Sequence, residues 1–348
     1  GQHVLGFCVI LIGSLFVQAA ALVAVALIVE NRDTGLIVAS FFVIAAIVGI
    51  VQGVNSVAYY DLIGSLFDRF ERSHLLYRRA ALAGMLAIAA VALTGYGADG
   101  FAMPVEGVHL LWLSAAITLA GGLLLLGVDA GGDRRLRSAS SEHRARRGLG
   151  DVWHLLGDSL AHRWFRRFVG ARILLLSVHL ALPFYAIHAE SWHGSGYGRL
   201  GLFVVATSLA VIVGGYVWPR LTGGDERRAM VAGALLAASA GVLAVVVEFV
   251  SALCQPPVYG LVFFAMALAM QGSGTARSLY IVAHAPADLR PRFLAAETSL
   301  SGAGAIIIAA AFGSIAHLHG VVWPIALIVV LNIAAALWCR TLDPLRPA

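Results

Sequence analysis

Apolar residues fall along this chain in long, near-continuous runs broken by short polar stretches. Ten runs are long enough, or nearly so, to cross a hydrocarbon layer about 30 Å thick. They cover residues 3–28, 35–58, 79–95, 107–127, 169–188, 200–217, 229–249, 258–282, 293–316 and 321–338. The pattern predicts an all-α polytopic membrane protein with ten transmembrane helices, four before one long polar interruption and six after it.

That interruption, residues 129–172, holds Arg134, Arg135, Arg137, Arg144, Arg146, Arg147, Arg163, Arg166, Arg167 and Arg172. A block so basic does not cross a bilayer, and short basic loops stay on the cytoplasmic face, so it orients its neighbours. With the linker inside, the ten runs place 20 of the 24 arginines on the inner side, among them Arg69, Arg72, Arg78, Arg79, Arg220, Arg227, Arg228, Arg290, Arg292, Arg340 and Arg346. Arg32 and Arg199 fall outside, and Arg172 and Arg277 fall within or at the ends of runs. Adding or removing one run in either half would scramble this alternation. Both ends of the chain are therefore expected in the cytoplasm, with short outer connections such as 96–106 and 189–199. Within the linker, residues 151–167 mix Trp153, Leu155, Leu156, Leu160 and Trp164 with charges, which predicts an amphipathic helix lying along the inner interface.

Composition agrees with this reading. At 60% hydrophobic and 12% charged residues, the chain is more apolar than soluble domains, where about 45–50% apolar and about 25% charged is usual. The net charge of +5 comes from arginine alone, with no lysine, which looks like the coding bias of a GC-rich bacterial genome. Its placement in loops fits leaflet electrostatics, and nucleic acid is not expected as a partner. Cys8, Cys254 and Cys339 have no metal-ligand or disulfide spacing, so no metal or cofactor is expected. The chain starts at Gly1 and enters an apolar run almost at once without a signal-peptide pattern, the expectation being a fragment that lacks its start. Small residues recur at close helical spacing in Gly121-Gly122, Gly214-Gly215 and Gly302, Gly304 and Gly313, as in close-packed membrane helices.

Several local patterns resemble the major facilitator superfamily (MFS), whose members have two six-helix halves joined by a basic cytoplasmic loop. Tyr59-Tyr60-Asp61-Leu62, followed by Arg72 and Arg78-Arg79-Ala80, resembles the joint between the fourth and fifth helices in a group of bacterial members. The stretch 163–185, with Phe165, Arg172 and Pro183-Phe184-Tyr185, resembles that group's entry into the seventh helix. Pro286, Arg290, Arg292 and residues 302–320 resemble the segment before the last span. Gly215, Trp218, Arg220, Asp225, Arg227 and Arg228 echo the superfamily's cytoplasmic motif with altered spacing. The resemblance implies an incomplete amino-terminal half-bundle of four helices (1–128) lacking its first two helices, a basic linker with an interfacial helix (129–168), a complete six-helix bundle (169–340) and a cytoplasmic tail (341–348).

It further implies a secondary active transporter of a small solute in the bacterial cytoplasmic membrane, working by alternating access. Its partners would be the lipid bilayer, the solute and a coupling proton. The cavity would be lined by the runs beginning at Gly35, Val169 and Val258. Gln52, Asn55 and Tyr59 share one helical face and either line that cavity or hydrogen-bond neighbouring helices. His179 lies one heptad after Arg172. It is either a satisfied packing residue, the commoner role, or a proton carrier. Gln271 and Tyr280 are further cavity candidates on the tenth helix. Arg277 and Glu297 fall at similar depth on antiparallel neighbours and are expected to pair as a structural or gating clasp, since an arginine that deep needs a carboxylate or a wet cavity.

Other classes have less support. No Gly-x-x-x-x-Gly-Lys-Ser/Thr loop, His-Glu-x-x-His or Gly-x-Ser-x-Gly motif is present. His109, His179, His188, His193, His284, His317 and His319 are scattered, so a membrane-embedded enzyme is disfavoured. A five-plus-five drug/metabolite-type transporter would place the linker after five runs, not four. A non-transporting protein of the same fold remains an alternative.

Overall fold

The computed structural model describes residues 2–30, 34–93, 107–126, 149–193, 197–223 and 225–344. Most of the arginine linker, the connection 96–106, Arg32 and Arg346 lie outside the described residues. All regular elements among those described are helical, as lipid demands of a chain whose backbone groups must bond internally. In order they are α1 (Gln2–Glu30), α2 (Thr34–Leu66), α3 (Arg69–Leu93), α4 (Gly107–Leu126), α5 (Leu149–Ala161), α6 (Arg163–Leu180), α7 (Leu182–His193), α8 (Tyr197–Thr222), α9 (Glu226–Phe249), α10 (Pro256–His284), α11 (Arg290–His319) and α12 (Val322–Cys339). A 3-10 turn, Ser251–Leu253, precedes α10.

Among the described residues, eight helical segments are long and apolar enough to cross a membrane: α1, α2, the α6–α7 rod, and α8 to α12. The described parts of the runs at 79–95 and 107–127 lie in α3 and α4. However, α3 opens on Arg69, Glu71, Arg72, Arg78 and Arg79, and the apolar part of α4 is only Leu111–Leu124.

Helix ends depart from the ends of the apolar runs for identifiable reasons. The α2 helix continues to Leu66 and carries Tyr59 to Leu62 inside it. The start of α3 lies ten residues before the apolar run because Asp68 and Glu71 form a reciprocal cap: Glu71 N–H donates to Asp68 Oδ1 at 2.9 Å and Asp68 N–H donates to Glu71 Oε2 at 3.2 Å. Residues 151–167 do not form one helix. His162 is extended (φ −72°, ψ 117°) and ends α5, so Arg163 to Arg167 open α6. Pro183, which has no N–H and crowds the preceding turn, separates α6 from α7 at Ala181.

Contacts divide the chain into two compact units. The first comprises Gly1–Leu66, Pro104–Leu155 and Ala285–Thr298; the second comprises Phe67–Met103, Leu156–His284 and Ser299–Ala348. In the first unit, α1 packs against α2 and α4. In the second, α9 packs against α10 and α12, α8 against α3 and α10, and α6 against α12. The division groups α3 with α8, and glycine is the reason. A Cβ at Gly215 would stand 2.6 Å from Ala81 Cβ, and one at Gly84 would stand 2.8 Å from the Ser208 carbonyl oxygen, so both contacts are at backbone distance. The neighbouring Gly214 leaves room for Gln271, whereas Gly121, Gly302 and Gly313 face open space.

Candidate functional site

Polar groups inside the second unit gather in three places along its helices. The first is the seam between α6 and α10. Arg172 is buried nine residues into α6, about 13 Å from the start of that helix at 1.5 Å per residue. One heptad further, His179 Nδ1 lies 3.4 Å from the Leu175 carbonyl oxygen. Its Nε2 faces α10 where Gly274 has no side chain: a Cβ there would lie 3.2 Å away. The charges of Arg277 and Arg172 both act on the imidazole. Gln271, one turn before Gly274, donates from Nε2 to the Val211 carbonyl at 3.0 Å. Its Oε1 is buried with no hydrogen-bond partner among the described residues. Thus Arg172, His179, Gln271 and Arg277 all belong to this unit, and Glu297 belongs to the other.

The second place is the arginine-rich end, where α9 begins. Asp225 caps α9 by accepting from Arg227 N–H at 3.1 Å, pairs with Arg227 Nη2 at 2.9 Å and lies 3.8 Å from Arg228 Nε. Burial works to raise its carboxyl, but the Arg227 hydrogen bond and charge prevail and hold it below the usual carboxylate range. Arg227 Nη1 donates to the Leu342 carbonyl at 2.9 Å, Tyr280 donates to the Asp343 carbonyl at 3.1 Å, and Arg167 Nη1 lies 3.6 Å from Asp343 Oδ1. Tyr280 also stacks on Phe168 and His284. The structure therefore commits Tyr280 to the residues after α12. Of the other motif-like residues, Arg220 is exposed and bonds the Tyr216 carbonyl, and Gly215 serves the α3 contact.

The third place, at the opposite end of the unit, was not singled out from sequence. His188 on α7 is 2% exposed and makes a bond through each ring nitrogen: Nε2 lies 3.0 Å from Glu248 Oε2 of α9, and Nδ1 lies 2.6 Å from the Tyr259 hydroxyl of α10. The only sequence signals were a histidine and a glutamate near the ends of apolar runs. Nothing in the linear order connects positions 60 residues apart.

In the first unit, Gln18 Nε2 donates to Gln52 Oε1 at 3.0 Å, so Gln52 is a contact between α1 and α2. Asn55 Oδ1, one turn on, is buried with no hydrogen-bond partner among the described residues. Tyr59 packs edge-on against Tyr60. Asp61 and Arg290, from two of the sequence patterns above, interact electrostatically. Gly53 lies against Thr298, 3.5 Å from a Cβ there, so α2 meets the first turns of α11.

No protein-family model matches the chain. An uncharacterised protein of Mycobacterium tuberculosis (strain ATCC 25618 / H37Rv) is 28% identical over 333 residues, which cover 92% of this chain, and one from Mycobacterium bovis is equally similar. The chain spans 62% of the length of these curated relatives. Three solved structures share its fold along nearly its whole length. The MFS proton:xylose symporter XylE bound to 6-bromo-6-deoxy-D-glucose has a TM-score of 0.69 at 14% identity, over 98% of this chain and 81% of that one. The human organic anion transporter MFSD10 gives 0.64 at 15%, over 96% and 82%. The MFS transporter FucP in its outward conformation gives 0.64 at 14%, over 97% and 83%. The fold is that of the major facilitator superfamily transporters.

Proposed function

We propose, from the major facilitator fold, that this chain is a secondary transporter that moves a small solute across a bacterial cytoplasmic membrane by alternating access. The observation that carries the reading is the likeness to transporter structures over 96–98% of the chain. The orphan acceptors Asn55 Oδ1 and Gln271 Oε1 support it, because polar atoms held inside apolar helices are costly unless a cavity, water or ligand meets them. In this reading ten spans, four and six, flank a cytoplasmic linker, and both ends of the chain are cytoplasmic. Gln52, Asn55, Tyr59, His179 and Gln271 lie along the solute's path. Tyr280 and the Asp225 cluster hold the cytoplasmic end together. Arg277 and Glu297 act as a structural or gating clasp.

The test is counterflow in proteoliposomes loaded in turn with a panel of sugars and organic anions. Exchange of a labelled solute against its unlabelled form is expected for at least one class. Arg277→Glu should abolish that exchange, and the double exchange Arg277→Glu with Glu297→Arg should restore part of it. Wild-type protein that exchanges no member of the panel, while xylose exchange by a known symporter in parallel vesicles proceeds, would overturn the reading.

A further inference from the structure

The linked side chains at the far end of the second unit form one chain of hydrogen bonds. His188 is almost fully enclosed, at 2% exposure, and Tyr259 is fully enclosed at 0%, whereas the Glu248 side chain is 36% exposed. The chain of hydrogen bonds thus runs from a carboxylate that meets water, through a buried imidazole, to a buried phenol. With Glu248 ionised, its oxygens only accept, so His188 must carry its proton on Nε2. Nδ1 is then the acceptor, and the Tyr259 hydroxyl must donate to it across 2.6 Å. All three polar groups are satisfied in this one polarity.

An added proton cannot enter without changing that order. If it settles on Nδ1, two donors face each other and the Tyr259 hydroxyl must turn to accept, leaving its own hydrogen to find a partner along α10. If it stays on Glu248, the carboxyl gains a donor of its own and the ionic half of the pair is lost. Either way the proton comes from bulk water at Glu248. Because Nε2 already carries a hydrogen, the proton reaches Nδ1 only when the imidazole turns that nitrogen toward the carboxyl, and the hydrogen bond to Tyr259 breaks as it does.

Cys254 and Glu248 are the groups that act electrostatically on Tyr259. Glu190, on α7 itself, is exposed. The α12 helix brings no ionisable side chain to this end, α6 carries Arg172 and His179 on its earlier turns, and His317 and His319 of α11 are exposed. The three helices joined here, α7, α9 and α10, include the short segment beyond Pro183.

We infer that His188, Glu248 and Tyr259 form a proton-binding site at the end of the second unit opposite the arginine-rich one, with Glu248 as the entry point, His188 as the seat and Tyr259 as the group that passes the change to α10. This extends the transport reading: the bound proton is the one coupled to the solute.

The first experiment needs no solute, since the probe is the proton itself. Purified protein in weakly buffered detergent is taken from pH 7.5 to pH 5.5 with an indicator dye, and proton uptake is compared among wild type, His188→Gln, Glu248→Gln and Tyr259→Phe. Wild type should take up about one proton per chain more than His188→Gln. Infrared difference spectra over the same step should contain tyrosine bands that Tyr259→Phe and His188→Gln both lose. Tyr259→Phe keeps the ring and its packing, so its thermal melt serves as the control for folding. Equal uptake by wild type, His188→Gln and Glu248→Gln, or tyrosine bands unchanged in Tyr259→Phe, would overturn the site. The second experiment is solute accumulation driven by a pH gradient. It should fall at least tenfold in His188→Gln while counterflow persists. Gradient-driven accumulation unchanged in His188→Gln would overturn the coupling role. Proton uptake by a wild-type protein that exchanges no solute would sustain the site and overturn the transport reading instead.

Discussion

Asp225 holds together three pieces of the second unit: the start of α9, which it caps, the Arg227 guanidinium, and through Arg227 the Leu342 carbonyl beyond α12. Its carboxyl is held below the value of about 3.8 expected in the unfolded chain. A carboxylate depressed in this way stabilises the fold above the unfolded value, and the benefit is lost as pH falls through the lower, folded one. Asp225→Asn keeps a side-chain oxygen to cap α9 but should lower the melting temperature of the purified protein at pH 7 by the equivalent of about 1–2 kcal/mol, for the loss of its charged hydrogen bonds to Arg227. The gap between mutant and wild type should begin to narrow as the pH drops below about 4, where the unfolded chain takes up its proton first, and close only when folded Asp225 is protonated in turn. A constant gap from pH 7 down to pH 3 would mean that the ionised carboxylate contributes nothing. At this scale the sequence exposed the motif residues Asp225, Arg227 and Arg228. The Leu342 carbonyl they reach is a backbone atom 115 residues away, and residue type carries no record of such a partner.

Among the elements, the α3–α8 contact rests on two glycines, Gly84 and Gly215. Gly215→Leu should push the helices apart and cost about 1–3 kcal/mol of overpacking. Gly302→Leu, whose site is open, should cost far less. Size-exclusion profiles after mild heating would show the difference, and equal losses would remove glycine's special role at α3. Apolar runs made the existence of the helices legible because hydrocarbon thickness fixes their minimum length. Their ends were less legible, since caps such as Asp68–Glu71 and breaks such as His162 depend on a few polar atoms rather than on hydropathy. The site was legible where polar residues share one helix face, as for Arg172 and His179. It was hidden where it joins three helices, as for His188, Glu248 and Tyr259.

For the whole molecule, the arginine-rich and arginine-poor ends of the second unit predict an orientation in the membrane. On a background with Cys8, Cys254 and Cys339 replaced by serine, Gln255→Cys should react with an impermeant maleimide in intact cells. Arg228→Cys should react only after the membrane is opened. Both positions are exposed, so the comparison tests sidedness and not burial. The reverse pattern would invert the protein and place the proton site on the cytoplasmic face.

The break at Pro183 gives one transmembrane rod two different mechanical roles. The longer piece, α6, is fastened: Ser177 bonds the buried Asn332 of α12 at 2.9 Å, and Trp338 of α12 bonds the Arg167 carbonyl at 3.0 Å. The shorter piece, α7, carries at its second position a proline that cannot donate the helical hydrogen bond across the joint, and among the described residues its polar attachment to α9 and α10 runs through the His188 imidazole. A lever pinned along one arm transmits motion through the other, so a change at the imidazole is expected to reach the short arm before the long one.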